Sequence, residues 1–480
     1  MVKTIGNVQK DAQVRAVASG AITNGDTVVV NSDGTVSAIS GTAASFSSEV
    51  TWTTNNPDTH IRSTFDSTNN RVVVVYGDSS NSGYGTAVVG TVSGDSISFG
   101  TPVVFESGEV RDFDVTFVGS GKVLVVYRNQ SSTNDGTGRV GTVSGTSISF
   151  GSGTVFFTSA SAICVTYDSN AGKAVVSYRK DTSPQYFVSN VATISGTSVS
   201  FGSQVNVTTS VNAYSERGFS TSTFDSNSNM VFVAFVDQAT ADLWTAVGTV
   251  SGTSISYAGS AARLAEGSET YPRSTFDSSS NKIIVAWKSG ANGTGDAAVG
   301  TISGSSISFG TTTSFITGTL KNGALDVSYD ANLNKTLFSF ALSAGNLQSK
   351  LATVSGTDIT FGDATTSTFS VSDGVASSYD SNSQRVVVSA DESSDGKSVV
   401  YIPLDTNLTT DNFVGFADST YADTQSALID STCSINTKQT GLTTGSKYYV
   451  QNDGTLSTEA DDPSIEAGLA ISDTEILVKG

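Results

Sequence analysis

Cysteine, histidine, proline and charged residues are all scarce in this chain of 480 residues. It contains two cysteines, one histidine and six prolines, and charged residues make up only 14% of it. Two cysteines far apart in sequence, Cys164 and Cys433, cannot form a disulfide framework, and we expect two free thiols. The single histidine, His60, excludes a zinc site of several His and Cys ligands. A Ser-His-Asp triad would depend on it alone, and we expect it to be an ordinary loop residue.

Long apolar runs and basic residues are missing as well. No run approaches the roughly eighteen apolar residues of a membrane helix, and no charged-then-apolar leader begins the chain, so we predict neither a membrane span nor a signal peptide. The chain has 25 basic against 44 acidic residues, and its net charge is −19. Such scattered basic residues cannot follow a phosphate backbone, which excludes nucleic acid as a partner. We predict no cofactor and no metal site, although weak Ca²⁺ binding stays open.

Glycine and repetition are what the chain has in abundance. One phrase, VGTVSGTSISFG at residues 140–151, recurs with its central glycine at Gly94, Gly145, Gly196, Gly252, Gly304 and Gly356, and a degenerate copy surrounds Gly41. A second phrase alternates with it: an aromatic residue, usually Asp, a polar cluster and an apolar run. That run ends in a column formed by Tyr76, Tyr127, Tyr178, Phe235, Trp287, Phe340 and Ala390. Seven repeats of about 52 residues predict the blades of a β-propeller.

Each repeat is predicted to contain four strands in two hairpins, with almost no helix in the chain. The first phrase alternates around a glycine turn, and the second turns at Asp-Ser-x-x-Asn, where the Asp side chain can bond its own backbone and Asn or Gly can adopt the left-handed conformation. Val118 replaces Asp in one repeat. In the other six this turn residue is Asp66, Asp168, Asp225, Asp277, Asp330 or Asp380. Six equivalent carboxylates favour a structural role over catalysis, with Ca²⁺ binding as the alternative.

The two ends of the chain differ from the middle and match each other. GDTVVVNSDGTVS at residues 25–37 is similar to GSKYYVQNDGTLS at residues 445–457. Because a closed propeller brings its first and last strands together, we predict one small β-domain built from both ends. We assign residues 1–45 and 413–480 to it and residues 46–412 to an inserted seven-bladed propeller. Whether the degenerate copy at Gly41 or the segment SVVYIPLDTNLTTDNF completes the last blade stays open.

The end segments carry a family resemblance. FVGFADSTYADTQSALI, followed by TGLTTGSKYYVQNDGTLSTEADDPSIEAGLAISDTEILVKG, resembles the C-terminal module of tail-fibre and other virion proteins of tailed bacteriophages. VASGAITNGDTVVVNSDGTVSAIS together with FVGFAD resembles, more weakly, the small β-fold of phage capsid decoration proteins. The resemblance implies a module that mounts the chain on a phage particle, with other virion structural proteins as partners. It implies no activity for the propeller.

Residues for catalysis are hard to find. A sialidase-like site needs an arginine cluster and blades with Ser-x-Asp-x-Gly-x-Thr-Trp boxes, and neither is evident. Asp112 and Asp114 alternate at a strand end, so we expect both on one face and solvated. The loops between the apolar run and the glycine hairpin vary from repeat to repeat, which suits recognition. Tyr84, Tyr186 and Trp244 lie in these loops and could stack on a sugar, or could simply pack on the neighbouring blade.

The sequence thus predicts a non-enzymatic virion protein that displays a propeller toward the host surface. A tail fibre or adhesion appendage is favoured over a capsid decoration or fibre protein, and a free carbohydrate-binding lectin is the alternative from another class. A host surface glycan is the predicted ligand, and a homo-oligomer in the particle is expected. The protein would be made in the host cytoplasm and reside on the virion.

Overall fold

The computed structural model describes residues 12–215, 217–290, 293–343, 345–461 and 463–479. Those residues form antiparallel β-strands, and their only helix is a 3₁₀ turn at Ser79–Asn81, so none of them lies in a helix able to cross a membrane. The chain divides into two compact units. We call residues 46–402 the ring unit, and residues 1–45 with 403–480 the end unit. The second boundary therefore falls at Ile402, earlier than the predicted residue 412, and residues 1–11 of the predicted first domain lie outside the described part.

The ring unit is built from the repeats, each folded as four antiparallel strands in chain order. Repeat 1 has the strands Pro57–Asp66, Arg71–Asp78, Tyr84–Ser93 and Ser96–Phe99, and repeat 2 has Val103–Phe117, Lys122–Asn129, Asp135–Ser144 and Ser147–Phe150. Repeat 3 has Ala160–Asp168, Lys173–Lys180, Phe187–Ser195 and Ser198–Phe201, and repeat 4 has Ser220–Asp225, Met230–Val236, Leu243–Ser251 and Ser254–Ser256. Repeat 5 has Thr270–Asp277, Lys282–Lys288, Gly295–Ser303 and Ser306–Phe309, and repeat 6 has Leu320–Asp330, Lys335–Leu342, Asn346–Ser355 and Asp358–Phe361.

The last repeat is completed from the start of the chain. Its first three strands are Val375–Asp380, Arg385–Glu392 and Asp395–Ile402, and its outer strand is Ser45–Phe46, from the degenerate copy of the phrase. A short additional strand, which the sequence analysis missed, pairs with the third strand of most repeats. These strands are Val50–Thr53, Thr154–Phe157, Val205–Asn206, Ala262–Ala265, Thr313–Ser314 and Thr365–Ser370.

The first strands of the repeats surround a central channel. Each contacts the first strands of the repeats before and after it, and the last contacts the first, so the ring closes. The prediction of an all-β propeller is confirmed. Register defines two faces: Asp66 pairs with Arg71 and Val72 with Gly90 on the side where both repeated turns lie, which we call the turn face. Asp78 pairs with Tyr84 on the opposite side, the loop face, where the variable loops lie.

The recurring phrase joins neighbouring repeats. Its central glycines have φ between 57° and 64°, a left-handed conformation that suits glycine, and a Cβ there would meet nothing within 4 Å. The glycine that ends the phrase has a different role. A Cβ on Gly151 would overlap the carbonyl oxygen of Thr197 in the next repeat, and Gly100, Gly202, Gly259 and Gly310 make the equivalent approach. The phrase therefore recurs because each hairpin is packed backbone to backbone on the next.

Apolar side chains fill the space between adjacent repeats. Tyr76, Tyr127, Tyr178, Phe235, Trp287 and Phe340 of the aromatic column are at most 1% exposed. Each hydrophobic cluster draws on two neighbouring repeats; for example, Val73 and Val75 of repeat 1 pack with Phe113 and Tyr127 of repeat 2. Because aromatic side chains bury about 150–250 Å² each, no repeat could cover its core alone.

The end unit contains two sheets of five strands each. One has the order Gln13–Val17, Ser426–Asp430, Phe413–Ala417, Thr27–Val30, Val36–Ala38, and the other has the order Ile435–Asn436, Ile476–Val478, Ile465–Ala470, Lys447–Val450, Leu456–Ser457. A two-stranded ladder of Gly41–Thr42 with Asp405–Thr406 accompanies them. The small β-domain predicted from both ends is therefore two sheets, one of which comes from the C-terminal segment alone.

The two sheets repeat the same fold. In the first, Thr35 N donates to Asp33 at 3.0 Å, and Ala417 N donates to Asp26 O at 2.9 Å. In the second, Thr455 N donates to Asp453 at 2.9 Å, and Ala470 N donates to Ser446 O at 3.0 Å. Each also has a register shift at a glycine that a Cβ would not fit, Gly415 or Gly468. The end unit is thus a duplicated five-stranded module, and the ring unit is inserted between the third and fourth strands of the first copy.

Candidate functional site

The central channel encloses a cavity with a volume of about 570 Å³. Equivalent positions of the seven inner strands line it in three layers. An aromatic layer at the turn face consists of Phe65, Phe117, Tyr167, Phe224, Phe276, Tyr329 and Tyr379. A hydroxyl layer beneath it consists of Thr64, Thr116, Thr166, Thr223, Thr275, Ser328 and Ser378. Toward the loop face, Arg62, Asp114, Cys164, Thr221, Arg273 and Asp326 form the charged layer.

The charged layer contains two arginine–aspartate pairs, each between adjacent repeats. Arg62 Nε lies 3.8 Å from Asp114 Oδ1, and Arg273 Nε lies 3.9 Å from Asp326 Oδ1. Both carboxylates also reach the following repeat, where Asp114 accepts from Val165 N at 2.9 Å and Asp326 accepts from Ser377 N at 2.6 Å. Burial raises the pKa of both carboxyl groups, while the nearby guanidinium groups lower it. These four residues thus tie consecutive inner strands to one another.

Hydroxyl groups of the inner strands make further links between repeats. Ser63 Oγ and Ser378 Oγ lie 2.6 Å apart and join the first repeat to the last, and Thr223 and Ser274 are equally close. Thr64 accepts from the backbone of Phe117 at 3.1 Å. The channel is therefore a polar cavity with half-buried aromatic rings at one mouth.

His60 lies at the loop-face end of the channel, and the expectation that it is a loop residue is wrong. It belongs to the strand Pro57–Asp66, is only 6% exposed, and has no hydrogen-bond partner on either ring nitrogen among the described residues, so it is not a loop residue. Desolvation and the charges of Arg62, Arg217, Arg273 and Arg111 hold the pKa of His60 well below its ordinary value. The imidazole is therefore neutral at pH 7.

Asp112 and Asp114 also differ from the prediction. The strand register shifts between Arg111 and Asp114, and Asp112 has a φ of 47°, so the two carboxylates do not share one solvated face. A bulge inserts a residue and breaks the alternation on which the prediction rested. Asp112 is buried and accepts from Arg128 Nη1 at 3.2 Å. Desolvation raises the pKa of Asp112 to about 6, although Arg128 opposes the shift.

Arginines gather at this end of the channel, which the sequence analysis missed. Arg62, Arg111, Arg217 and Arg273 all act electrostatically on His60, and Arg128 pairs with Asp112. They come from four different repeats, so their spacing along the chain gives no local motif. A signal was available: the sequence aligns Arg62 and Arg273 four positions before the repeated Asp, at inward-facing positions.

The three predicted ligand-binding residues lie in three different repeats on the loop face. Tyr84 begins the strand Tyr84–Ser93 opposite Asp78. Tyr186 packs partly on the cluster between repeats 2 and 3, with Lys180 Nζ 5.5 Å from its ring centre, and Trp244 packs partly on the cluster between repeats 3 and 4. All three are half-buried, and none lines the channel. Their role in binding stays a prediction.

The repeated aspartates cap their own turns. Asp66 accepts from the backbone of Thr68 at 2.9 Å and of Asn69 at 3.2 Å. Asp168, Asp225, Asp277, Asp330 and Asp380 make the same pair of bonds to the residues two and three positions on, and all six are at most 2% exposed. The left-handed position follows, filled by Asn70, Gly172, Asn229, Asn281, Asn334 and Gln384.

Groups suited to metal binding are absent from the residues that the structure describes, where no three His, Cys, Asp or Glu side chains converge. Cys164 is buried in the channel wall and Cys433 is exposed, and both are free thiols. Burial raises the pKa of Cys164 to about 12, which keeps it protonated and unreactive.

Comparison with known proteins gives fold-level similarity only. No protein-family profile and no curated protein matches the chain. Among solved structures, a mutant of AofleA from Arthrobotrys oligospora is 10% identical, aligns with 72% of this chain and 97% of its own, and has a TM-score of 0.46. The Aleuria aurantia lectin in complex with Fucα1-6GlcNAc is 14% identical over 64% of this chain and 95% of its own, with a TM-score of 0.42.

Raptor from Chaetomium thermophilum is 11% identical over 75% of this chain, which spans 29% of the Raptor chain, with a TM-score of 0.47. At these identities and TM-scores the similarities say nothing about the ligand or the role of this chain.

Proposed function

We propose that this chain is a non-enzymatic recognition protein of a tailed-bacteriophage particle, mounted through the end unit and displaying the ring unit toward the host surface. The resemblance of both chain ends to virion modules supports the role. The observation that carries the proposal is the division of the chain into two compact units. Both ends fold into one unit, and the ring unit is a separate insertion. We assign attachment to the end unit and recognition to the ring unit.

The ring unit favours recognition over catalysis. Its repeated turns form one nearly uniform face, whereas the loops of the other face differ in length and composition. A rigid scaffold with variable loops is the usual basis of a recognition surface. The carboxylates of Asp114 and Asp326 accept from backbone amides, and that of Asp112 accepts from an arginine, as expected of structural groups.

Counting copies of the protein in purified particles tests the role. Quantitative mass spectrometry, calibrated against the major capsid protein of the same particle, should find a small symmetric number of copies if the protein belongs to a tail fibre. Hundreds of copies would instead assign it to head decoration. Its absence from purified particles would refute the virion role.

A free carbohydrate-binding lectin is the second candidate, and the partly exposed side chains of Tyr186 and Trp244 on the loop face favour it. Aromatic rings bind sugars by stacking on their apolar faces. The purified chain should then bind a glycan array saturably, and Trp244→Ala or Tyr186→Ala should weaken that binding. Tyr449→Ala in the end unit is the matched control. A signal no higher than background would remove this candidate, and cleavage of a surface polysaccharide by the pure protein would refute the non-enzymatic role.

A further inference from the structure

The charged layer of the channel contains two arginines and two aspartates, so its charges balance. Its hydrogen bonds do not, because the aspartates have partners that the arginines partly lack. Asp114 accepts from the backbone of Val115 and Val165, each at 2.9 Å, and Asp326 accepts from the backbone and side chain of Ser377 at 2.6 and 3.2 Å. Both carboxylates thus have hydrogen-bond partners in the backbone of the inner strands. They therefore stabilise the walls of the channel by joining neighbouring inner strands.

The guanidinium groups of the same layer have N–H donors that make no hydrogen bond to the described residues. Among the described residues, Arg62 donates only to the carbonyl of Ile61, at 2.9 Å. Arg273 donates to three carbonyls, of Leu325, Gly218 and Pro272, and its Nη2 has no partner. The separations of 3.8 and 3.9 Å from Asp114 and Asp326 are too long for hydrogen bonds.

The two arginines also repel each other. They stand in repeats 1 and 5 and face the same cavity. Burial and the charge of Arg62 lower the pKa of Arg273 to about 9. Like charges that line one cavity are unfavourable, and an anion bound between them relieves the repulsion.

Two buried polar side chains, those of His60 and Arg273, lie next to Gly218 at the loop-face end of the channel. A Cβ at this glycine would lie 3.3 Å from His60 Nε2 and 3.5 Å from Arg273 Nη2. Neither of those two atoms has a partner among the described residues, and buried polar atoms in that state are costly. The backbone at this end is also bulged, with Asp112 and Tyr271 at positive φ, a feature that concentrates at functional sites.

We propose that the charged layer of the channel binds the carboxylate of an acidic sugar, with Arg62 and Arg273 as the donors. The planar guanidinium of Arg62 can meet a carboxylate with two parallel hydrogen bonds, and Arg273 can add one from Nη2. The hydroxyl layer next to it can bond the hydroxyls of a sugar ring, and the aromatic layer beyond can contact its apolar face. The cavity of about 570 Å³ lies within the size range of small-ligand sites.

This inference deepens the proposed recognition role by naming an acidic sugar, and it places the site in the channel instead of on the variable loops. Isothermal titration calorimetry of the full chain with D-glucuronate tests it, with D-glucose as the uncharged counterpart. Glucuronate should bind saturably at one site per chain, and glucose at least about tenfold more weakly, since a charge-assisted hydrogen bond is worth about a factor of ten or more.

Substitutions locate the site. Arg62→Gln should weaken glucuronate binding by at least about tenfold, and Arg62→Lys should weaken it less because the charge remains. Arg263→Gln, at an arginine whose side chain is 44% exposed, is the matched control and should change nothing. Circular dichroism establishes that each variant is folded; if Arg62→Gln is not, the comparison of Arg62→Lys with Arg263→Lys decides.

Three results would overturn the inference: no saturable heat with glucuronate, equal binding of glucose, or glucuronate binding that Arg62 variants leave unchanged. A chain that binds neutral glycans through Trp244 but not glucuronate would refute the channel site and leave the proposed recognition role intact. Absence of the protein from virions would refute the phage role and leave the channel site intact.

Discussion

The ring unit and the end unit are both built by repetition, but their repeats depend on one another differently. In the ring unit each core lies between two repeats, and the inner strands close on themselves. In the end unit each copy of the module pairs its own five strands, and the two copies share one core, in which Val29 and Phe416 pack with Tyr448 and Val450. The ring repeats therefore depend on closure of the whole ring, whereas the first copy of the module pairs all five of its strands although the ring unit lies between its third and fourth strands. The four predictions below test this contrast, from the largest expected effect to the smallest.

Loss of one closing contact should destabilise the whole ring. Trp52, only 5% exposed, packs with Tyr76 at a ring separation of 4.8 Å, where the first and last repeats meet. We expect Trp52→Ala to lower the free energy of unfolding of the ring unit by about 3–5 kcal/mol, the usual cost of removing a buried aromatic ring. Chemical denaturation followed by fluorescence measures it. Val155→Ala, at a residue 51% exposed, should have no effect, and an equal loss there would contradict this account.

Backbone contacts between repeats should be the next most sensitive. Gly151→Ala places a Cβ against the carbonyl of Thr197, and such overpacking costs about 1–3 kcal/mol. The matched control is Gly362→Ala, the same position of repeat 6, where the nearest atom is Leu351 O at 3.7 Å. We expect the control to melt like the parent in calorimetry. Equal melting temperatures for the two variants would show that the approach of neighbouring hairpins does not limit the stability of the ring.

Two carboxyl groups, one in each unit, should contribute to stability with opposite dependence on pH. Burial and the charge of Asp296 raise the pKa of Glu269 in the ring unit to about 7, from an ordinary value of 4.5. Folded Glu269 thus holds a proton that the unfolded chain releases, so the contribution of this group to the stability of the ring unit falls as pH rises from about 4.5 through 7. In the end unit, Lys479 and Lys447 lower the pKa of Glu466, so that contribution is present above the ordinary value and is lost on acidification.

Glu269→Gln tests the pH response of the ring. The variant should raise the melting temperature of the ring unit by a few degrees at pH 8 and leave it unchanged at pH 4. Scanning calorimetry at both values measures this, and Glu459→Gln, at an exposed residue of the end unit, is the control. A gain of equal size at both pH values would argue against a raised pKa.

Removal of the ring unit should leave the end unit folded, the smallest effect of the four. Thr42 and Asp405 lie directly opposite each other in a two-stranded ladder, so an Asn-Gly turn can join them in place of residues 43–404. The core residues Ile39 and Leu408 stay in the shortened chain. Its calorimetric transition should fall within a few degrees of that of the end unit in the full chain. A shortened chain with no cooperative transition would show that the duplicated module depends on the ring.

Much of the fold followed from local signals. The alternation of VGTVSGTSISFG, the Asp66-type turns and the aromatic column each depend on residues adjacent in sequence and repeated many times, so the all-β propeller could be predicted without coordinates. The matched hairpins at residues 25–37 and 445–457 revealed a link between the ends. They did not reveal two complete sheets, because the remaining strands, such as Phe413–Ala417 and Ile465–Ala470, share too few residues.

The candidate site was harder to predict, because it depends on contacts across the ring. Arg62 and Arg273 are 211 positions apart, and only ring closure makes them line one cavity. The bulge at Asp112 reversed the predicted placement of two carboxylates, since one inserted residue changes which side chains point inward.

The sequence by itself determined the repeat length, the strands, the turns and the apolar columns, because period-2 alternation and turn chemistry act within a few residues. Tertiary structure alone decided which segment supplies the outer strand of the last repeat, which glycines meet the backbone of a neighbour, and which charged groups share the channel. Those outcomes depend on distances between residues far apart in the chain, and such distances are fixed only when the ring closes and the end strands pair.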